Sequence, residues 1–515
     1  MRQIQENLPA LLAERVGEYS DKTFLISEQD GREWSYREFQ TAVNQGAERL
    51  IERGIAKGDV VSLLMPNSAE YIISYFACWQ IGAIAGPINS LLKDNEIEWV
   101  RENSESKLLM TDTATSPGGL GAPIPEPVAL LDRGTGNTDV TELTPDDTAI
   151  IIYTSGTTGK PKGCMLTHGN LIANARQIAD WMGFGPDDRL LPVMPLFHTN
   201  AVSVTTMTAL YAGGSTVIAP KFSASRFWDI IDRYQVTSFG SVATMLSMLL
   251  SKSQESGVES QESEESLTTH DSRLSTLRFA MCGSAPVPVE VLKRFEETFG
   301  VLVVEGYGLS ESTCRSTFNP PNETRRPGSC GMAIGNEMKI FDEADREVRH
   351  GELGEIVMRG PNIFKGYFKN EEATKKAFEN GWFHTGDIGY RDDEGFFYIA
   401  DRKSDMIVRG GENIYPREID DLLYAHPAVA AAAVLGVPDE LYGEEVAAFI
   451  VLYEGASVSE QEVIEFCRER LADFKCPKRV YFVDDIPKGP TGKLLKRELA
   501  RLIPREHSAE SRKAH

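Results

Sequence analysis

Apolar residues fall in short runs through the first part of the chain, at 60–64, 84–88 and 107–110. Between them, at 36–53 and 95–103, apolar positions recur three and four residues apart. The runs predict buried strands and the wider spacing predicts amphipathic helices. Their alternation predicts an α/β domain with a largely parallel sheet. A helix is also expected at the charged, amphipathic N-terminus, MRQIQENLPALLAERVGEY, which lacks the pattern of a signal peptide. Residues 111–147, rich in Gly, Pro and Thr, read as a long surface connection. The β-branched run AIII at 149–152 predicts a buried strand, and alternation resumes at 216–218, 236–239, 277–281 and 302–305. The polar, acidic, low-complexity stretch at 251–272 reads as a solvated insertion.

From 329 to 399 the texture changes to short strands separated by glycine, the pattern of a small antiparallel β subdomain. The polar segment DRKSD at 401–405 follows, then a last compact unit. The expected organisation is α/β: residues 1–400 as a large N-terminal domain of two α/β subdomains plus a small β subdomain, 401–405 as a hinge, 406–505 as a smaller mobile α+β domain, and 506–515 as a tail.

The chain has 515 residues, more than one core normally serves. Its formal charge of −23 opposes nucleic acid and anionic membrane as partners. Seven cysteines, odd in number and without a CxxC pair, point to reduced thiols and a cytoplasmic setting. No apolar run reaches the length of a membrane span. A homodimer is compatible with these features. An anionic ligand would need a locally positive, glycine-rich site.

One such site stands at 153–163, YTSGTTGKPKG, directly after the 149–152 strand. Glycine lets backbone N–H groups approach a phosphate, hydroxyls add donors and lysine adds charge. The spacing is not that of a nucleotide P-loop, since Pro161 follows Lys160 where Ser or Thr is required. Neither does GYGLSE at 306–311 satisfy the dinucleotide fingerprint.

Six segments in order, at 153–163, 195–198, 283–286, 306–311, 384–387 with 401–413, and 490–496, together resemble the adenylate-forming (ANL) superfamily. That superfamily holds AMP-forming acyl-CoA synthetases, adenylation domains and firefly luciferase. The resemblance spans essentially the whole chain and implies a two-step reaction. A carboxylate attacks the α-phosphate of ATP to give acyl-AMP and pyrophosphate, and the thiol of coenzyme A then displaces AMP.

What the resemblance implies can be carried onto single residues. Thr154, Ser155, Gly156, Thr157, Thr158, Gly159 and Lys162 match the pyrophosphate-gripping loop. Gly283, Ser284, Ala285 and Pro286 match the strand end beside adenine, and Gly306, Tyr307, Gly308 and Ser310 the turn on its face. Glu311, with Thr154, matches the ligands of a magnesium ion (Mg2+), a hard cation suited to oxygen donors. Asp387 matches the carboxylate that accepts both ribose hydroxyls, with Ile399 and Arg402 nearby. Lys493 matches the catalytic lysine of the first step, and Lys496 and Arg497 read as surface charges. Asp401 matches the hinge, and Gly410, Gly411, Glu412 and Asn413 the loop that lines the coenzyme A tunnel in the second step. His198 matches a position bordering the carboxylate.

The acyl pocket is expected from Asn200, Val202, Phe239, Val242 and Thr244. These are uncharged and mainly apolar, which predicts an aliphatic or aryl acid; the overall pattern, including LPVMPLFHTNAVSV and ASRFWDIIDRYQVTSF, most resembles bacterial CoA ligases of the fatty-acid and carnitine/crotonobetaine kind. Carnitine or crotonobetaine is the second substrate expectation, disfavoured because no aromatic cage is evident. A luciferase-like oxygenase and a non-catalytic nucleotide binder are the alternative functions. Retention of Glu311, Asp387, Arg402 and Lys493 together speaks against the last.

Overall fold

The computed structural model describes residues 7–112, 142–154, 161–258, 274–284, 287–487 and 496–499, with the side chains at 254–258 and of Arg497 excepted. The predicted loop residues 155–160, residues 285–286 and Lys493 lie outside them, as does most of the acidic stretch.

Six parallel strands form the centre of the larger sheet. From one side they are Val303–Tyr307, Phe279–Cys282, Ser238–Ser241, Arg189–Pro192, Ser215–Ile218 and Thr23–Ser27. Short antiparallel strands extend both edges to nine. A second sheet of six carries Lys162–Thr167 antiparallel to Thr148–Thr154, beside the parallel strands Ile84–Pro87, Val60–Leu64 and Leu108–Thr111. Both central sets are buried on two faces, which is why they read as continuous apolar runs rather than alternating ones. The helix Tyr36–Glu52 starts where Ser35 and Glu38 reciprocally cap the first turn, a signal visible in the sequence.

The small antiparallel sheet runs Glu337–Phe341, Gly354–Arg359, Phe383–Arg391 and Phe397–Arg402. Asp401 and Arg402 close its last strand, so the turn toward the last domain begins only at Lys403. Beyond it, Ile407–Arg409 and Glu412–Ile414 form a hairpin on the sheet of Val429–Asp439, Gly443–Leu452 and Arg479–Phe482. This domain has its own cores, centred on Ile419, Val434 and Ile464 and on Phe449 and Ile486. Lys496 is not a surface charge. Its ammonium lies 3.0 Å from Asp420, whose carboxyl burial pushes up to about 6. All seven cysteines are unpaired. Among the described residues no helix is long and apolar enough to cross a membrane.

Candidate active site

The carboxyl ends of Ser238–Ser241, Phe279–Cys282 and Val303–Tyr307 lie side by side, where parallel sheets place their ligands. Gly306 and Tyr307 are the last residues of their strand rather than a turn beyond it, because they pair with Phe318 and Thr317. The Tyr307 hydroxyl donates to Asp387 Oδ2 over 2.5 Å. Arg402 Nε meets the other Asp387 oxygen at 3.2 Å, across the register pair that joins their strands. Asp387 is buried and Arg402 remains partly open, so a carboxylate and a cation share one edge of the site. Burial holds the Tyr307 phenol well above its usual range, so it serves as a donor.

A second cluster sits where the two large sheets meet. Glu311 lies in the single turn Ser310–Ser312, and its carboxylate accepts from the Tyr367 hydroxyl at 2.9 Å. Burial raises the Glu311 carboxyl above the usual carboxylate range. Tyr367 also lies beneath Lys162, with Nζ 5.1 Å from the ring centroid. Lys162 opens its strand directly opposite Thr154, the last residue of the neighbouring one, so it is a strand residue and not a loop one. Glu311 and Thr154 each offer oxygen donors, the ligand type that magnesium favours. Gly308 allows the chain to fold tightly here, since a Cβ on it would meet the Cys314 carbonyl oxygen at 2.1 Å.

The third cluster follows Pro195. His198 is half-buried against Phe197, its buried Nε2 has no partner, and burial pushes its imidazole down to about 4, so the ring is neutral at pH 7. Asn200 and Val202 begin a buried π-helix, Asn200–Met207. Thr205, Thr206 and Thr208 hydroxyls return to carbonyls four or five residues back, and such wide turns recur at functional sites. Asn200 Nδ2 is likewise unpartnered. Val242 is buried and Thr244 half-buried. Phe239 points the other way: its ring packs edge-on against Phe227, on the face opposite Gly240, so it does not line this cluster.

In the last domain, Gly410 and Gly411 are the two central residues of the hairpin, both with φ positive (59° and 92°). That turn requires glycine whatever passes beside it. Glu412 and Asn413 are exposed on its return strand. Asp401 accepts from the Arg417 backbone N–H at 3.0 Å, and Arg417 Nη1 donates to the Ile399 carbonyl at 2.6 Å. Ser284 stands exposed just beyond Gly283, in the left-handed region with φ 71°.

Tyr367, Arg417 and Arg315 escape sequence reasoning. Tyr367 lies 56 residues from its partner Glu311. Arg315 leaves a fainter trace, as the single charge in the run 312–322.

The family model of AMP-binding enzymes matches residues 12–368, and that of the AMP-binding enzyme C-terminal domain matches 418–493. The chain belongs to the AMP-binding enzymes. Oxalate–CoA ligase of Arabidopsis thaliana is 36% identical over 89% of this chain and 91% of its own length. A long-chain-fatty-acid–CoA ligase of Mycobacterium tuberculosis is 35% identical, covering 90% and 92%. O-succinylbenzoate coenzyme A synthetase from Bacillus subtilis, solved in complex with ATP and magnesium ion, superposes with a TM-score of 0.82 at 33% identity, over 96% and 99%. This AMP-binding enzyme is therefore an AMP-forming carboxylate–CoA ligase, with ATP and coenzyme A as co-substrates.

Proposed function

We propose that this ligase activates its acid at the strand ends between Gly283 and Tyr307 and completes the thioester by moving its small domain. In the first step a carboxylate oxygen bonds to the α-phosphorus and the bond to pyrophosphate breaks. In the second the coenzyme A sulfur, its proton lost, attacks the acyl carbonyl, and AMP leaves with the bonding pair. The observation that carries the reading is the buried Asp387, held between Tyr307 and Arg402 beside the strand that leads to the small domain. A carboxylate offers two adjacent acceptors, the match for two ribose hydroxyls. Gly283, Ser284, Ala285 and Pro286 would flank the base, and the loop from Ser155 to Gly159 with Lys162 would hold the polyphosphate. Magnesium, held by Glu311 and Thr154, would supply charge neutralisation for the phosphates.

Lys493 is proposed to bridge the incoming carboxylate and the α-phosphate, where opposite charge counts most in the transition state. The turn at 403–405, next to Asp401, is proposed as the hinge, and the Gly410–Gly411 hairpin as the element that meets the coenzyme A arm. The relatives' printed substrates, oxalate and a long-chain fatty acid, do not agree with each other. The mainly apolar residues after His198 support an aliphatic or aryl acid; the unpartnered polar groups among them speak against a purely apolar one.

Separating the half-reactions tests the scheme. Lys493→Ala is expected to abolish acid-dependent ATP–pyrophosphate exchange while sparing thioester formation from supplied acyl-AMP. Gly411→Trp is expected to do the reverse. If both folded variants lost both steps equally, the two-pose scheme would be wrong.

A further inference from the structure

The reaction as proposed gives Arg315 no task. Its side chain is 1% exposed, and no carboxylate pairs with it among the described residues. Its guanidinium lies over the Phe318 ring, 5.5 Å from the centroid. Nη1 reaches only the Cys314 carbonyl at 3.3 Å and the Cys314 sulfur at 3.5 Å, and Nε has no partner. A buried cation without a counter-charge is costly, because it gives up its hydration without compensation. The backbone is arranged to keep it there. Thr313 and Cys314, just before it, have φ of 62° and 126°, and the strain is fixed from both sides. Asn174 accepts from the Arg315 N–H and donates to its carbonyl at 2.6 Å, while the Thr313 hydroxyl donates to the Asn362 carbonyl at 2.6 Å.

The place it reaches is a floor without side chains. Gly240 follows the register of Met281, and Gly283 and Gly306 extend the next two strands on the same face. A Cβ on Gly283 would lie 2.6 Å from Arg315 Nη2, and one on Gly240 would lie 3.0 Å from Asn200 Oδ1. Tyr307, one residue past Gly306, points to the opposite face, toward Asp387. The guanidinium therefore belongs to the side that carries Asn200 and Thr205, away from Asp387. Two buried nitrogens there lack partners, Arg315 Nε and Asn200 Nδ2. Both can only donate.

We propose that Arg315, aided by Asn200, receives a second anionic group on the acyl substrate, so that the acid activated here carries a carboxylate or sulfonate at its far end. The proposal rests on the ligase reading above and names its substrate class. A guanidinium buried in this way discriminates sharply, because an acid lacking the second anion leaves it unpaired.

Coenzyme A-dependent AMP release, measured on the full chain with MgATP, tests it through matched acids of equal length: propanoate against malonate, butanoate against succinate, hexanoate against adipate. The best dianionic acid is expected to exceed its monoanionic match in kcat/KM by at least roughly 100-fold. Arg315→Met should bring that ratio to about one while leaving KM for ATP unchanged, and Arg315→Lys should restore part of it. Asn200→Leu, which keeps the guanidinium, should lower the ratio by roughly 10-fold and guards against a folding defect in the first variant. Monoanionic acids used as well as or better than their matches would overturn the proposal and leave the ligase standing. So would an Arg315→Met enzyme that loses ATP affinity but keeps its acid preference. Folded protein that releases AMP with neither class would sink the ligase reading and the proposal with it.

Discussion

Tyr367 ties together two groups that handle charge of opposite sign, donating to Glu311 while its ring lies beneath Lys162. Replacing it with Phe keeps the ring and deletes one hydrogen bond to a carboxylate. The expected result is a rise in KM for MgATP with little change in kcat once saturated, and a loss of about 1–2 kcal/mol in stability. Steady-state kinetics with urea unfolding would check both; an unchanged KM would show that Tyr367 does not position Glu311. Histidine gives a pH prediction at the same scale. His168 and His198 are both pushed by burial from 6.5 to about 4. Each takes up a proton on unfolding between those values, so stability is complete above 6.5 and is lost as the pH falls toward 4. At pH 5 each is expected to cost about 2 kcal/mol relative to pH 8. His168→Gln should remove about half of the slope in a pH series of unfolding midpoints. A midpoint equal at pH 5 and pH 8 would contradict the neutral state of both rings. Neither these shifts nor the burial of Arg315 could be read from sequence, because burial of a lone polar residue is decided by chain segments far away. Lys496 shows the same limit, since its partner Asp420 lies 76 residues off.

At the scale of elements the sequence was far more legible. The strands at 60–64 and 149–152 and the helix from 36 announce themselves because each is long enough, and buried enough, for periodicity to dominate. The exceptions are instructive. The π-helix Asn200–Met207 has no periodic signature, because its residues are buried all round and its shape comes from threonine hydroxyls competing for carbonyls. Gly306 and Tyr307 looked like a turn because glycine usually breaks strands, yet here glycine is needed for packing: a Cβ on Gly306 would lie 2.4 Å from the Phe318 ring. Phe239 was assigned to the pocket by its position in the chain, and strand alternation alone sends it to the other face. The candidate site was thus legible where motifs carry it and illegible where alternation and packing do.

Across the whole molecule, the two domains have separate cores and meet through polar contacts, chiefly Arg417 on Asp401 and Ile399 and Arg294 on Tyr453. Such joints are readily remade, as domain rotation requires. Arg417→Ala removes the 2.6 Å bond to Ile399 and should weaken the present arrangement by about 1 kcal/mol. The two half-reactions are then expected to respond unequally, their rate ratio moving several-fold, with faster proteolysis at the turn 403–405. Equal changes in both would mean that this joint does not bias the domain's position. The glycine floor has a consequence for the history of such enzymes. Because the strands contribute no side chains at Gly240, Gly283 and Gly306, the choice of acid, on the reading proposed above, would fall to two short segments, 198–202 and 314–318. Substrate preference can drift by exchanging those segments while the sheet beneath stays fixed, so overall likeness between two such chains says little about which acid each consumes.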